Sequence, residues 1–342
     1  MDSINAFQSF FGSSLVASKM IERSIKIAKT DAPLLITGES GTGKSTLAQK
    51  IHAESNRAAK PFIQVNCAAI SENLLESELF GHVKGAFTGA DSTKKGLFEL
   101  AHGGTLFLDE ISEFSLAAQS KLLLAIQQGE IRPVGSQGTT KVDVRIISAT
   151  NKNIKKEIQL GHFREDLYYR LQVAMVRCIP LRERLSDIPP LAQNLLVSLA
   201  SNYQLPVKQL SKNVLEAFQA YPWPGNIREM SNLIAHLLIF GGATIEVNDL
   251  PEKLRSADQL VQAPLVDPPR LGDDFLPWRE YKDLIKESIQ QQERAYLLRV
   301  LENCQGNVTE AARILEVRRT TLYKWFAAYD IDTANQARQR IS

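Results

Sequence analysis

Cysteine is scarce, and Cys67, Cys178 and Cys304 lie far apart with no Cys-x-x-Cys pair among them. Neither a disulfide framework nor a cysteine-built zinc site is indicated, and a reducing compartment is expected. Long hydrophobic runs are missing too: no stretch reaches the roughly 18 uninterrupted apolar residues of a membrane helix. The opening MDSINAFQSFFGSS has no basic segment leading into an apolar run. Membrane spanning and secretion are therefore not expected, and a cytoplasmic protein is. Nor does one sign of charge dominate, since 40 Lys+Arg against 38 Asp+Glu leave a net +2. Any contact with nucleic acid has to come from a local patch. His82, His102 and His162 show no metal-ligand spacing and are read as structural.

What is present is an ordinary globular mixture, 44% hydrophobic and 23% charged, which supplies enough apolar side chain for sizeable cores. At about 100–200 residues per domain, 342 residues predict two or three units. From Pro33 to Val176 short apolar runs alternate with longer helical patterns, the mark of a parallel α/β sheet with helices on both faces. The predicted strands are Pro33–Thr37, Phe62–Asn66, Thr105–Asp109, Val144–Ala149 and Ala174–Ile179. After Asp187 strands are expected to stop, and segments such as IPPLAQNLLVSLASNY predict a small helical lid packed on the sheet. Arg255–Pro277, with four prolines and little periodicity, reads as a linker. The resulting division is 1–186 for the α/β part, 187–254 for the lid, 255–277 for the linker and 278–342 for an all-α C-terminal domain.

Chemistry first shows in Gly38-Glu39-Ser40-Gly41-Thr42-Gly43-Lys44-Ser45, with Thr46 following, between the apolar run PLLIT and a helical pattern. Glycines in such a loop let backbone N–H groups fold around phosphates, and the helix N-terminus adds a favourable dipole. Lys44 would neutralise β/γ charge, and the Ser45 hydroxyl would ligate Mg²⁺. A second strand ends in Asp109-Glu110, at the sheet edge where a parallel fold builds its ligand crevice. Asp109 is assigned to the metal, directly or through water, and Glu110 to the attacking water, so that ATP hydrolysis is favoured over simple binding. A surface acidic pair closing a strand is the alternative. Thr150 and Asn151, closing another strand, are candidates for the γ-phosphate or its water. Arg164 and Arg170, in HFREDLYYR, are guanidinium donors suited to act on a neighbour's nucleotide, and surface ion pairing is equally open for them.

Taken together the motifs resemble the sigma-54-dependent transcription activators, the bacterial enhancer-binding proteins of the AAA+ class. The most specific match is Glu78-Leu79-Phe80-Gly81-His82 followed by Gly85-Ala86-Phe87-Thr88-Gly89-Ala90. Physically that hexapeptide cannot form much core, and a mobile loop with one apolar tip fits. The resemblance implies that it projects from an ATPase ring and contacts sigma-54 through Phe87 and Thr88. Gly103–Glu110 looks like the family's Walker B, Pro180-Leu181-Arg182-Glu183-Arg184 with Asp187-Ile188 like its PLRER…DI stretch, and Trp223–Glu229 like its WPGNxRE lid motif. By the same resemblance Arg228 is the sensor II arginine, Arg164 and Arg170 are the trans-acting fingers, and Asn66 holds the catalytic glutamate until substrate engages. Gln127–Thr139 would be the companion surface loop. Ser45 stands where many relatives carry glutamate, which strengthens its magnesium role, and Val83 replaces a common acidic residue.

Near the C-terminus Gly306–Phe326 reads as two helices about 90–120° apart around a tight turn. Ala311 and Ala312 allow close crossing, while Arg318, Arg319, Thr320, Thr321 and Lys324 gather donors for DNA at the start of the second helix. Leu322, Trp325 and Phe326 are expected to point inward. A basic surface on a small helical bundle is the alternative. The segment resembles a Fis-type helix-turn-helix, except that Glu316 stands near the usual turn glycine, where an αL backbone would cost about 1 kcal/mol. The preceding pattern, about Trp278–Leu301, with Tyr281, Ile285, Ile289, Leu297, Leu298 and Leu301, would serve dimerisation.

The combined expectation is an ATP- and Mg²⁺-dependent activator that binds upstream double-stranded DNA and remodels sigma-54 RNA polymerase holoenzyme as a homo-oligomer, dimer to hexamer. Only about thirty residues precede the P-loop, too few for a receiver or GAF domain. The expectation is therefore constitutive competence or control by a separate, trans-acting protein. Two rivals are an AAA+ remodelling ATPase with another client, which would lack the hexapeptide and the helix pair, and a DNA-binding regulator that uses ATP as a ligand only, which has no need of Glu110.

Overall fold

A strand buried on both faces shows itself as an unbroken apolar run, and Leu34-Leu35-Ile36 is such a run. In the computed structural model, which describes residues 2–255, 293–294, 297–298, 300–301, 304, 307–315, 317–329 and 331, that run forms β1 (Leu34–Thr37). It is joined by β2 (Phe62–Asn66), β3 (Thr105–Asp109), β4 (Arg145–Thr150) and β5 (Ala174–Arg177). All pairings are parallel, in the order β2-β3-β4-β1-β5. Leu34 pairs with Ile147, and Asn66 with Asp109. Of the five expected strands, two keep their ends. Pro33 falls outside β1, β4 runs one residue later at both ends because Thr37 pairs with Thr150, and β5 stops at Arg177 ahead of Pro180.

Successive strand residues point to opposite faces, and the two cores follow from that alternation. Leu34, Ile36, Phe107, Ile147 and Val176 meet α1 (Asp2–Phe11), α2 (Leu15–Ala28) and α3 (Lys44–Ala53) through Phe7, Phe11, Met20, Ile21, Leu47 and Ile51. Leu35, Val65, Leu106, Leu108 and Ile146 face the other way, onto α4 (Glu72–Phe80), α5 (Leu116–Gln128) and α6 (Glu165–Leu171). This three-layer AAA+ sheet delivers the C-terminal ends of β1, β3 and β4 to one edge, where a ligand crevice forms.

Beyond Asp187 the helices α7 (Ile188–Tyr203), α8 (Lys212–Ala220) and α9 (Asn226–Phe240) enclose a separate apolar core. Trp223 is its centre: fully buried, edge-on to Phe218 and Tyr221, with Nε1 donating to the Phe218 carbonyl at 2.7 Å. Strands do not stop entirely here, because Gln209–Leu210 and Thr244–Ile245 form a short parallel pair. Two residues each are too few to read from periodicity.

The chain divides into units of residues 1–260 and 261–342. In the second, α10 (Val308–Ile314) is capped by Asn307, whose Oδ1 accepts from Thr309 and Glu310 N–H, and α11 (Arg319–Ala328) follows. Ala311 and Ala312 are buried with Leu322, Phe326, Leu297 and Leu301. Trp325, expected inward, is 38% exposed. Leu322 and Phe326 define the buried stripe, and a residue one step short of a full turn falls on its flank. Glu316, residues 256–277 of the linker, and Tyr281, Ile285 and Ile289 lie outside the described residues. Cys67, Cys178 and Cys304 are free and buried. Among the described residues no helix is long and apolar enough to cross a membrane.

Candidate nucleotide site and surface loop

The turn from β1 into α3 needs backbone that side chains resist: Gly38, Gly41 and Gly43 have φ of 152°, 77° and 96°. The loop brings the Lys44 ammonium onto the Gly38 carbonyl at 3.0 Å and within 3.5 Å of Glu110 Oε1. Ser45 Oγ donates to Asp109 Oδ2 at 2.9 Å. Glu110 itself sits in the left-handed region at φ 54°, a conformation that costs a non-glycine residue about 1–2 kcal/mol. Its carboxylate is steered by the Asn151 backbone N–H, which donates to Oε2 at 3.1 Å. Lys44, Ser45, Asp109 and Glu110, predicted from two separate motifs, thus line one cleft with Ser40, Gly41, Gly43 and Thr46.

Lid residues close the cleft. Arg228 lies on α9, its guanidinium donating to Ser40 Oγ at 2.8 Å and its N–H to the Gly41 carbonyl at 3.3 Å. Phe10, Leu195 and Ile227 form an apolar wall. One end of the cleft is therefore cationic and rich in hydroxyls, and the other is apolar, which suits a nucleotide with a phosphate tail and a flat base.

Other predicted residues are placed differently. Thr150 is fully buried, with its hydroxyl shared between Ser112 Oγ at 3.0 Å and the Lys152 N–H at 3.0 Å. Asn66 Oδ1 accepts from Ala68 N–H at 3.0 Å, next to Asp109 in the sheet register. Arg164 pairs with Asp166 at 2.7 Å and donates to Ser120 Oγ, while Arg170 is exposed with no ion pair among the described residues. Neither arginine lines this chain's cleft. His82 bonds Ser77, His102 Nδ1 accepts from Asp143 N–H, and His162 contacts Glu157.

Away from the cleft, Gly85–Ala90 closes on itself, with Gly85 N–H donating to the Ala90 carbonyl at 2.9 Å. Gly85 and Gly89 have φ of 81° and 97°. Phe87 stands 40% exposed at the tip, edge-on to His82 with ring centres 5.1 Å apart. The segment 127–139 packs at its base: Val83 N–H donates to the Val134 carbonyl, and Gly135 lies so close to Ala86 that a Cβ there would come within 2.7 Å.

Residues 10–177 match the Sigma-54 interaction domain, 182–264 an AAA+ ATPase lid domain, and 288–328 the Fis family of bacterial regulatory proteins. The chain belongs to the sigma-54 activator family. Regulatory protein LuxO of Vibrio parahaemolyticus is 40% identical over 98% of the chain and 72% of its own length. Regulatory protein AtoC of Escherichia coli is 43% identical over 91% of the chain and 65% of its own length. NtrX of Brucella abortus, solved with ATP, superposes with a TM-score of 0.68 at 31% identity, covering 94% of this chain and 69% of NtrX.

In this sigma-54 activator several site residues carried no chemical signal of their own in the sequence. Asn226, buried at φ 50°, donates to the Ser40 carbonyl at 3.1 Å and to Glu39, and its Oδ1 accepts from Leu181 N–H at 3.0 Å. Arg182 grips both oxygens of Glu39. Both lay inside quoted motifs, but only the folded chain shows that they staple lid and hinge to the P-loop. Phe10, Leu195 and Ile227 had no signal beyond being apolar.

The Arg182 guanidinium, helped by the Asn226 amide, holds the Glu39 carboxyl down at about 2 against an ordinary 4.5. A carboxyl more acidic folded than unfolded stabilises the fold above the unfolded value and loses that contribution as pH falls through 4.5 toward about 2. Glu39→Gln is expected to lower the melting temperature at neutral pH, with the gap to wild type narrowing below pH 4.5. A gap that does not change with pH would show that Glu39 is not held by this pairing.

Proposed function

We propose that this chain hydrolyses ATP in the cleft between sheet and lid and uses the cycle to drive Gly85–Ala90 against sigma-54 RNA polymerase while its C-terminal helix pair holds upstream DNA. The observation that carries the reading is the convergence of Lys44, Ser45, Asp109 and Glu110 at one sheet edge, beside the lid's Arg228. Lys44 binds the phosphate tail and Glu110, steered by Asn151 N–H, takes the proton of the attacking water. The NtrX structures with ADP and ATP support the choice of nucleotide.

Ser45 and Asp109 offer adjacent hard oxygens, the donor set Mg²⁺ prefers when it shares its shell with phosphates and water. They would hold that ion, which neutralises charge on the transferring phosphoryl group when bound. Thr150, locked in hydrogen bonds, would orient the end of β4, leaving Asn151 to face the cleft. Asn66 would restrain Glu110 in another state of the cycle.

Because Arg164 and Arg170 lie outside this chain's own cleft, they would act in a neighbour's, which requires a homo-oligomer, a hexamer by family resemblance. Exposed Arg318, Arg319, Thr320 and Lys324, with half-buried Thr321, would meet bases and phosphates. The functional parts would be 1–186, 187–254, 255–277 and 278–342.

With purified sigma-54 holoenzyme and a sigma-54 promoter, this protein plus ATP is expected to make the start site reactive to a single-strand probe, and a non-hydrolysable analogue is expected to fail. Strand opening with the analogue, or none with ATP, would overturn the reading.

A further inference from the structure

The N-terminal segment is fastened at the hinge between sheet and lid by a buried carboxylate. Asp187 is 1% exposed, and its Oδ1 accepts from the N–H groups of Ser13 and Ser14 at 2.9 and 2.7 Å. Its Oδ2 accepts from Ser14 Oγ at 2.5 Å. A buried charge tolerates the loss of such donors poorly, so the Gly12–Ser14 turn is fixed wherever Asp187 goes. The close approach depends on glycine: Gly12 has φ 88°, and a Cβ there would lie 2.2 Å from Asp187 Cγ. On the other side of the turn, buried Arg184 donates to the Phe11 carbonyl.

Two residues before Gly12, Phe10 reaches into the nucleotide cleft. Its ring edge lies where a Cβ on Gly43 would come within 2.6 Å, and it stands edge-on to Phe11 with ring centres 4.9 Å apart. Asp187 also immediately precedes α7, which supplies Leu195 to the same apolar wall and donates from Asn194 to the Ser9 carbonyl at 3.0 Å. One buried carboxylate therefore sits at the root of both the lid helix and the strap that carries Phe10.

We propose that Asp187 is a positioning residue for the nucleotide, which acts through the Gly12–Ser14 turn to hold Phe10 as the apolar wall of the cleft. The inference rests on the proposed nucleotide reading of that cleft and goes beyond it by assigning Asp187 a role it performs without touching the ligand.

The test is a double-mutant cycle on the full chain, read as equilibrium binding of a fluorescent ATP analogue. Asp187→Ala and Phe10→Ala are each expected to raise Kd about tenfold, roughly 1.4 kcal/mol, and the double variant no further than the weaker single. Asp187→Asn, which keeps the Oδ1 acceptor for both N–H groups, is expected to recover most of the affinity. Effects that multiply, or an unchanged Kd in Asp187→Ala, would overturn the inference, since a merely structural loss would add to that of Phe10. Melting curves identify a variant that fails to fold, and the cycle is then run with Ser14→Ala, which removes the hydroxyl donated to Asp187 Oδ2, with the same non-additivity expected at smaller amplitude. If wild type and Lys44→Ala bind the analogue equally poorly, the nucleotide reading itself falls, a result distinct from wild-type binding that Asp187 does not influence.

Discussion

Replacing Glu110 with Gln is expected to leave ATP binding in place while lowering turnover by about 10²–10⁴-fold, the usual range for a lost general base. The amide is nearly isosteric and still accepts the Asn151 N–H at the position where Glu110 Oε2 now accepts it at 3.1 Å. What it loses is basicity and the negative charge 3.5 Å from Lys44. The left-handed backbone at residue 110 is retained, so the strain there does not confuse the comparison. Lys44→Ala should behave differently, because the ammonium is the cleft's buried cation and its removal costs binding before it costs chemistry. Steady-state phosphate release beside nucleotide binding separates the two. An unchanged rate for Glu110→Gln would remove that residue from the mechanism.

The cleft was legible because its chemistry is written in contiguous runs. Gly38–Ser45 is constrained by backbone geometry that only glycine enters freely, and Thr105–Glu110 by a buried strand ending at the crevice. The five strands were legible for a similar reason, since each is a short apolar run in a three-layer fold. Their ends were less so, because β4 and β5 stop where pairing with Thr37, the last residue of β1, runs out, which hydropathy does not encode.

Residues that act across long sequence distances were hidden. Asn226 contacts Ser40, 186 positions away, and Asp187 contacts Ser14, 173 positions away. Nothing local distinguishes either from a capping or surface polar residue. Trp325 shows the opposite error: apolar spacing alone placed it inward, whereas Leu322 and Phe326 already fill the space against Ala311 and Ala312. The hydroxyl of Thr150, a ligand candidate from its place at a strand end, bonds Ser112 Oγ and accepts from the Lys152 N–H, contacts that no local pattern encodes.

The surface loop gives the largest expected effect. Thr88 is exposed and makes no hydrogen bond among the described residues, and the turn is held by backbone bonds from Gly85 and Ala90 that need no side chain. Thr88→Ala should therefore change stability by no more than about 0.5 kcal/mol and leave ATP turnover near wild type, since the cleft residues lie elsewhere. Promoter opening is nevertheless expected to fall to background, because on the proposed reading the loop is where the cycle meets sigma-54. Phe87→Ala tests the apolar half of the tip. Its ring is partly sheltered by His82, and an aromatic anchor at a protein interface is commonly worth about 2 kcal/mol or more, so trapped complexes with sigma-54 should weaken at least correspondingly. Both variants are to be measured for phosphate release and for start-site opening in the same preparation. Loss of turnover along with opening would mean that the loop supports the ATPase fold, and retained opening would mean that the partner is engaged elsewhere.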